Sequence, residues 1–174
     1  MDNIVALAYC SRPVKFSFDK TDEILAASRR NNATAGVTGA LIYDDSAFLQ
    51  WLEGDEAGLR AVFERISRDP RHESIKLLSV RKLEDRLFPD WSMMAAVTEA
   101  QALRGLKLVP HISLKGFAPF GWSEADAISF IDALSDYLTR RPAAKSEPAP
   151  SSAASSAAEN NPIARLDAQL RSLH

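Results

Sequence analysis

The run Ala47-Phe48-Leu49-Gln50-Trp51-Leu52-Glu53 limits what this chain can fold into more than any other stretch. Its large apolar and aromatic residues, preceded by Asp44-Asp45-Ser46 and closed by Gly54-Asp55, predict a central β-strand. Strand periodicity places Phe48, Gln50 and Leu52 on one face and Leu49, Trp51 and Glu53 on the other. Gln50 therefore stands between apolar residues on a face that must be buried. An amide left unpaired there costs roughly 1–3 kcal/mol. A backbone carbonyl, a water or a buried polar ligand could meet it.

The rest of the chain supplies a sheet for that strand. Asn3 to Cys10 is apolar on both faces, with Val5, Leu7 and Tyr9 on one and Ile4, Ala6 and Ala8 on the other, which makes it a second central strand. A helix starts at Asp19 to Thr21, with Asp22 and Glu23 in its first turn, and runs to about Asn32. Helical spacing lines up Ile24, Ser28, Asn31 and Asn32 along one side, and taken alone the two asparagines read as capping and turn residues. Gly36 to Tyr43 forms a hairpin with the Gln50 strand, and Gly39 in its middle signals close approach of a neighbour. Asp55 to Arg68 is an amphipathic helix with Leu59, Val62, Phe63 and Ile66 inward. After Asp69-Pro70-Arg71-His72 come a strand over Ile75 to Val80 and another over Trp91 to Val97, the last with Trp91, Met93, Ala95 and Val97 on one face.

The order β-α-β-β-α-β-β predicts an α+β, ferredoxin-like sheet with an additional strand. Two helices cover one face, and C-terminal helices cover the other. Those C-terminal elements are a short helix over Glu99 to about Gly105, a loop over Lys115 to Trp122 and a strongly amphipathic helix over Ser123 to Arg140. Pro142 to Asn161 is rich in Pro, Ala and Ser and reads as a disordered linker. Pro162 to Leu173 returns to helix, with Ile163, Leu166, Leu170 and Leu173 in a narrow stripe that should dock on its own domain, a second copy or a partner. The resulting division is 1–98 for the sheet domain, 99–141 for a helical cap, 142–161 for the linker and 162–174 for the short helix.

Composition narrows the function. A length of 174 residues with 46% hydrophobic content supports one core, and a formal net charge of -2 offers no basic field for nucleic acid. The apolar runs are strand-sized and the N-terminus lacks a signal peptide's features, so no membrane partner and a cytoplasmic location are expected. Cys10 is the single cysteine, which excludes an internal disulfide and a thiolate metal cluster. No phosphate-cradling glycine loop, metal-ligand spacing or Ser-His-Asp arrangement stands out. What does stand out is a convergence of polar groups on the helix-covered face. Tyr9 and Gln50 point to it from neighbouring strands, the Asn31/Asn32 end of the first helix lies over it, and Trp91 and Met93 come from the last strand. Such a pocket suits a flat heteroaromatic with an imide edge.

LAYCSR with Tyr9, RRNNATAGVTGALIY with Asn31, Asn32 and Gly39, FLQWLEG with Gln50, RDPRH with Asp69, Arg71 and His72, and WSMM with Trp91 and Met93 occur here in one order and spacing. In these, over about Asn3 to Val97, the chain resembles the BLUF domain, the blue-light sensor that uses a flavin. The resemblance implies that Tyr9 donates an electron and a proton to the excited flavin, and that Gln50 bridges Tyr9 to the flavin N5 and C4 carbonyl and then rotates or tautomerises. It implies further that Asn32, with Asn31 nearby, binds the carbonyl and imide edge, and that Ile24, Ser28 and Phe48 line the ring. Asp69, Arg71 and His72 would lie toward the ribityl and phosphate portion, and Met93 or Trp91 would relay the change. FAD is the implied cofactor, with FMN or riboflavin possible. No output module is recognisable after Val97, so a non-enzymatic photoreceptor that signals to a separate output protein or as a homo-oligomer is expected. A ferredoxin-like regulator binding another small molecule and a flavin enzyme are the competing readings.

Overall fold

Residues 4–97, 117–139 and 161–174 are described by the computed structural model of the chain. The elements are β1 (Ile4–Pro13), α1 (Phe18–Thr34), β2 (Thr38–Tyr43), β3 (Phe48–Gly54), α2 (Glu56–Ser67), β4 (His72–Leu83), β5 (Met94–Val97), a 3-10 turn (Pro119–Gly121), α3 (Glu124–Thr139) and α4 (Pro162–Ser172). The strands lie in the order β4-β1-β3-β2-β5. All neighbours are antiparallel except β2 and β5. The strands that are apolar on both faces, β1 and β3, are thus interior, where both faces must be covered.

The two faces carry separate cores. Val5, Leu7, Tyr9, Leu41, Phe48 and Leu52 point to the side of α1 and α2 and pack with Ile24, Leu25, Leu59, Val62 and Phe63. Ala6, Ala8, Cys10, Ile42, Leu49 and Trp51 point the other way and pack under Trp122, Ala127, Phe130, Ile131 and Leu134, so α3 covers the second face. The start of α3 is a reciprocal cap, in which Ser123 Oγ accepts from Asp126 N (3.1 Å) and Asp126 Oδ2 accepts from Ser123 N (3.0 Å). Helix α4 docks on its own chain, beside α2 and over β4, with Leu166 and Leu170 buried in the first core.

Several boundaries differ from the sequence expectation. Helix α1 starts at Phe18, because the Ser17 hydroxyl accepts from Lys20 N and caps it, and it continues to Thr34. Strand β4 extends well beyond Ile75 to Val80, since its pairing with β1 runs from Pro13↔His72 to Ile4↔Leu83 and the ladder carries polar residues along with apolar ones. Strand β5 begins at Met94, not Trp91. The Trp91 carbonyl still accepts from Gly39 N of β2, but the Ser92 and Met93 carbonyls accept from the α1 side chains Asn32 and Arg29, which ends the alternation there. The predicted helix over Glu99 to Gly105, the start of the Lys115 to Trp122 loop and the linker up to residue 160 lie outside the described residues.

Gly39 has the close neighbour its position implied. A Cβ there would lie 2.0 Å from the Trp51 carbonyl oxygen on β3.

Candidate functional site

The β1–β3 register sets Tyr9 directly across from Gln50, with both side chains on the α1/α2 face. The Tyr9 hydroxyl donates to Gln50 Oε1. Gln50 Nε2 donates to Met93 Sδ at 3.4 Å. Tyr9 is fully buried, Gln50 is 2% exposed and Met93 3%. The phenol ring is held edge-on by Phe63, with centroids 5.4 Å apart. Beside Tyr9 the β1–β4 register slips, so the partner strand bulges at the site.

Helix α1 fixes the segment that delivers Met93. Asn32 Nδ2 donates to the Ser92 carbonyl at 2.7 Å, and Arg29 Nε donates to the Met93 carbonyl at 3.2 Å. Asn32 is 1% exposed, yet among the described residues its Oδ1 accepts no hydrogen bond. The side chains of Ser28 and Asn31 are half-buried and also make no hydrogen bond there. Ile24 is buried on the same helix.

Phe48 and His72 meet at the other end of this face, ring centroids 5.3 Å apart, and His72 Nδ1 shares a 2.9 Å hydrogen bond with Ser11 Oγ. Asp69 and Arg71 close on each other: Arg71 Nε lies 2.9 Å from Asp69 Oδ1, and Nη2 lies 2.6 Å from Oδ2. The structure therefore brings Tyr9, Gln50, Met93 and Asn32 into one linked cluster and pairs Phe48 with His72. Trp91 does not join them. Its ring packs 5.8 Å from Phe88 with the opposite-face core, and its carbonyl accepts from Gly39 N at 3.0 Å. The expectation that Trp91 and Met93 share a face is thus corrected, because the segment before Met94 is not in strand conformation.

Burial sets the titration of these groups. Desolvation pushes the Tyr9 phenol far above its ordinary value, with the Asp69 charge adding to it, so the phenol keeps its proton. Burial lowers His72 to about 4, against a smaller upward pull from Asp69, and the imidazole is neutral. Asp69 is raised by desolvation but more strongly lowered by the side-chain and backbone donors of Arg71. Burial raises the Cys10 thiol to about 11, which leaves it unreactive.

Sequence reasoning missed Arg29, Ser92 and Ser11, whose roles depend on where other segments land. It also passed over Glu53, which had a signal. This carboxylate is fully buried and accepts from Trp51 Nε1 (3.0 Å), Leu87 N (2.9 Å), Phe88 N (2.7 Å) and Thr38 Oγ1 (3.1 Å). A charge on a face otherwise made of Leu49 and Trp51 called for partners just as Gln50 did.

A family model described as BLUF, sensors of blue light using FAD, matches residues 4–94. The chain belongs to the BLUF family. It has the α+β fold of the solved BLUF structures, and the family is described as sensing blue light with a flavin. Among curated relatives, the photoactivated adenylate cyclase subunit beta of Euglena gracilis is 31% identical over 80 residues, 45% of this chain and 9% of that protein. The blue light- and temperature-regulated antirepressor BluF of Escherichia coli (strain K12) is 38% identical over 63 residues, 36% of this chain and 15% of the relative. The match thus spans a small part of either relative. Among solved structures, the dark-state BLUF protein BlrB has a TM-score of 0.62 at 32% identity, covering 78% of this chain and 98% of that one. BlsA in its ground state has a TM-score of 0.66 at 28% identity, covering 76% and 87%.

The BLUF cluster fits a flavin on its own chemistry. Among the described residues the Gln50 amide nitrogen donates only to a thioether sulfur, a weak acceptor, at a buried position. Asn32 Oδ1, Asn31 and Ser28 hold polar capacity that nothing among the described residues uses. Among the described residues no group of side chains could hold a metal ion, and no helix is long and apolar enough to cross a membrane.

Proposed function

We propose that Tyr9, Gln50 and Met93 form the light-driven switch of this BLUF chain and that FAD is the flavin it holds. The observation that carries this reading is a buried carboxamide whose partners among the described residues are a phenol and a thioether, with no main-chain group among them. When bound, the flavin absorbs blue light and supplies an electron acceptor next to this cluster. Tyr9 would supply both an electron and its phenolic proton to that acceptor, since burial keeps the proton on the ring until oxidation makes it acidic. The proton would pass to Gln50 Oε1 along their hydrogen bond while Gln50 Nε2 releases one toward the flavin, so that the amide stays neutral. Gln50 turns or tautomerises its amide, an exchange of donor and acceptor ends that needs little space. Met93 thereby loses or changes the N–H its sulfur accepts.

In this reading Asn32 and Asn31 bind the polar edge of the ring, Ile24, Ser28 and Phe48 line it, and Asp69, Arg71 and the neutral His72 lie toward the ribityl and phosphate end. Trp91 receives the change through the main chain. The chain acts as a cytoplasmic, non-enzymatic sensor, and its signal passes to a separate protein or into self-assembly.

Purified protein should be yellow, should release FAD on denaturation by chromatographic analysis, and should show a reversible red-shift of its flavin band under blue light. Gln50→Leu and Tyr9→Phe should keep the colour and lose the shift. A colourless protein that takes up no added FAD, or an undiminished shift in Gln50→Leu, overturns the reading.

A further inference from the structure

Helix α4 seals one edge of the core with a short apolar stripe and a polar rim. Leu166 and Leu170 are buried against α2 and β4, and Ile163 and Leu173 flank them half-buried. The polar part of the hold is at the rim: Arg60 Nε and Nη2 reach Asp167 Oδ1 and Oδ2 at 2.8 and 3.2 Å, and His174 Nε2 lies 2.7 Å from Glu56 Oε2. A helix over Pro162–Ser172 is too short to persist alone in water, so the groove between α2 and β4 is the template on which it forms. None of its polar contacts involves Tyr9, Gln50, Asn32 or Met93, while Leu166 and Leu170 complete the same buried cluster as Tyr9 and Met93.

Release of α4 leaves a surface that needs cover. β4 is an edge strand of the sheet, and α4 is what lies over it on this face. Any replacement must present apolar side chains spaced as Leu166 and Leu170 are, with an acid next to the first of them to meet Arg60. The sequence that does so is α4 itself, and every copy of the chain carries it. Residues 140–160 separate α3 from α4, a span that can reach at most roughly 70 Å, so it permits docking within a chain and between chains alike.

We propose that α4 is an exchangeable element: the α2–β4 groove that it fills in its own chain accepts α4 of a second copy, giving a reciprocal two-fold dimer. The groove contacts are the same in both arrangements, so the balance is set by protein concentration against the tether. A cleft of about 570 Å³ lined by Ser67, His72, Ser74, Ile75, Pro162 and Arg165 places the first turn of α4 beside the start of β4. The proposal stands on α4 and its groove alone, and a chain that bound no flavin would be tested in the same way.

Full-length Arg60→Asp and Asp167→Arg variants provide the test. Within either variant the groove and its own helix carry like charges. In an equimolar mixture, reciprocal exchange restores an opposite-charge pair in both grooves, which no arrangement within one chain can do. Native mass spectrometry with one variant isotopically labelled should show a heterodimer-to-homodimer ratio roughly 5-fold above its statistical value of about one, a preference that disappears at high salt. A mixture that stays monomeric, or that gives hetero- and homodimers in statistical proportion, overturns the proposal. Loss of the flavin band shift with the heterodimer intact would instead count against the photochemical reading alone.

Discussion

Glu53→Gln should destabilise the protein and disturb its light response together, although Glu53 lies on the face of the sheet opposite Gln50. Each carboxylate oxygen accepts two hydrogen bonds: Oε1 from Phe88 N and Thr38 Oγ1, Oε2 from Trp51 Nε1 and Leu87 N. A carboxamide keeps one acceptor and turns the other into a donor. If its nitrogen replaces Oε2, two N–H groups face a third. If it replaces Oε1, Thr38 can accept but Phe88 N–H is orphaned, so this is the orientation the variant adopts. One buried unsatisfied donor costs about 1–3 kcal/mol, and weakening of the remaining charge-assisted bonds adds to it. Relief of the buried charge offsets a part. A net loss of about 2–3 kcal/mol follows, equivalent to a melting temperature lower by roughly 5–10 °C for a chain of this size.

The optical effect comes from the segment that Glu53 anchors. Leu87 and Phe88 are its direct partners, and the same segment ends at Ser92 and Met93, whose carbonyls are held by Asn32 and Arg29 and whose sulfur meets Gln50. Loosening its start should let Met93 sample other positions and change the rate of dark recovery after a blue pulse. Equilibrium unfolding in urea and the decay of the shifted flavin band are the measurements. A Glu53→Gln protein within about 0.5 kcal/mol of the parent, with unchanged recovery, would refute the reasoning.

Other perturbations test other parts of the fold. Gly39→Ala sets a methyl 2.0 Å from the Trp51 carbonyl oxygen, a backbone atom that cannot move without separating β2 from β3, so soluble yield and melting temperature should collapse; a normal melt would contradict it. His72 is depressed from 6.5 to about 4 by burial, so the unfolded chain binds its proton first; stability should be fully present above pH 6.5 and fall by up to about 3 kcal/mol as pH drops toward 4, and His72→Gln should flatten that slope in urea titrations. Leu166→Ala or Leu170→Ala should cost about 2–4 kcal/mol in the same assay, whereas Arg60→Ala, at an exposed pair, should leave the melting temperature within scatter. Met93→Leu keeps the volume but removes the acceptor for Gln50 Nε2, and a recovery rate equal to the parent's would show that the sulfur contact is not part of the switch.

What the sequence revealed and what it hid divide along physical lines. The pairing of Tyr9 with Gln50 was legible because strand alternation and the apolarity of both central strands fix which side chains share a face. Gly39 was legible because a mid-strand glycine has few other causes. Glu53 obeyed the same argument as Gln50 but sits at a strand end, where periodicity alone does not separate a buried carboxylate from a solvated one. The stripe on α4 could be read, but its groove depends on α2 and an edge strand coming together from separate stretches. The relative placement of Trp91 and Met93 was hidden for a different reason. Alternation presumes a ladder, and here the carbonyls of residues 91–93 go to Gly39 N–H, Asn32 and Arg29.

That departure from the ladder has a consequence for how the proposed switch is read out. Met93 lies with Gln50 on one face, while the Trp91 ring lies with Phe88 on the other, under the layer to which α3 belongs. A tightly packed sheet transmits little through its middle, since β1 and β3 are fully paired on both sides. Ser92 joins the two side chains directly. Any change in what Gln50 donates to Met93 therefore has a covalent path of one intervening residue to the opposite face, with Asn32 holding the carbonyl at its midpoint. Asn32→Ala removes that restraint, and on this argument it should weaken the coupling between the flavin shift and any light-induced change in Trp91 fluorescence more than it weakens the shift itself. Equal loss of both would place Asn32 in the cofactor's grip alone and remove it from the route.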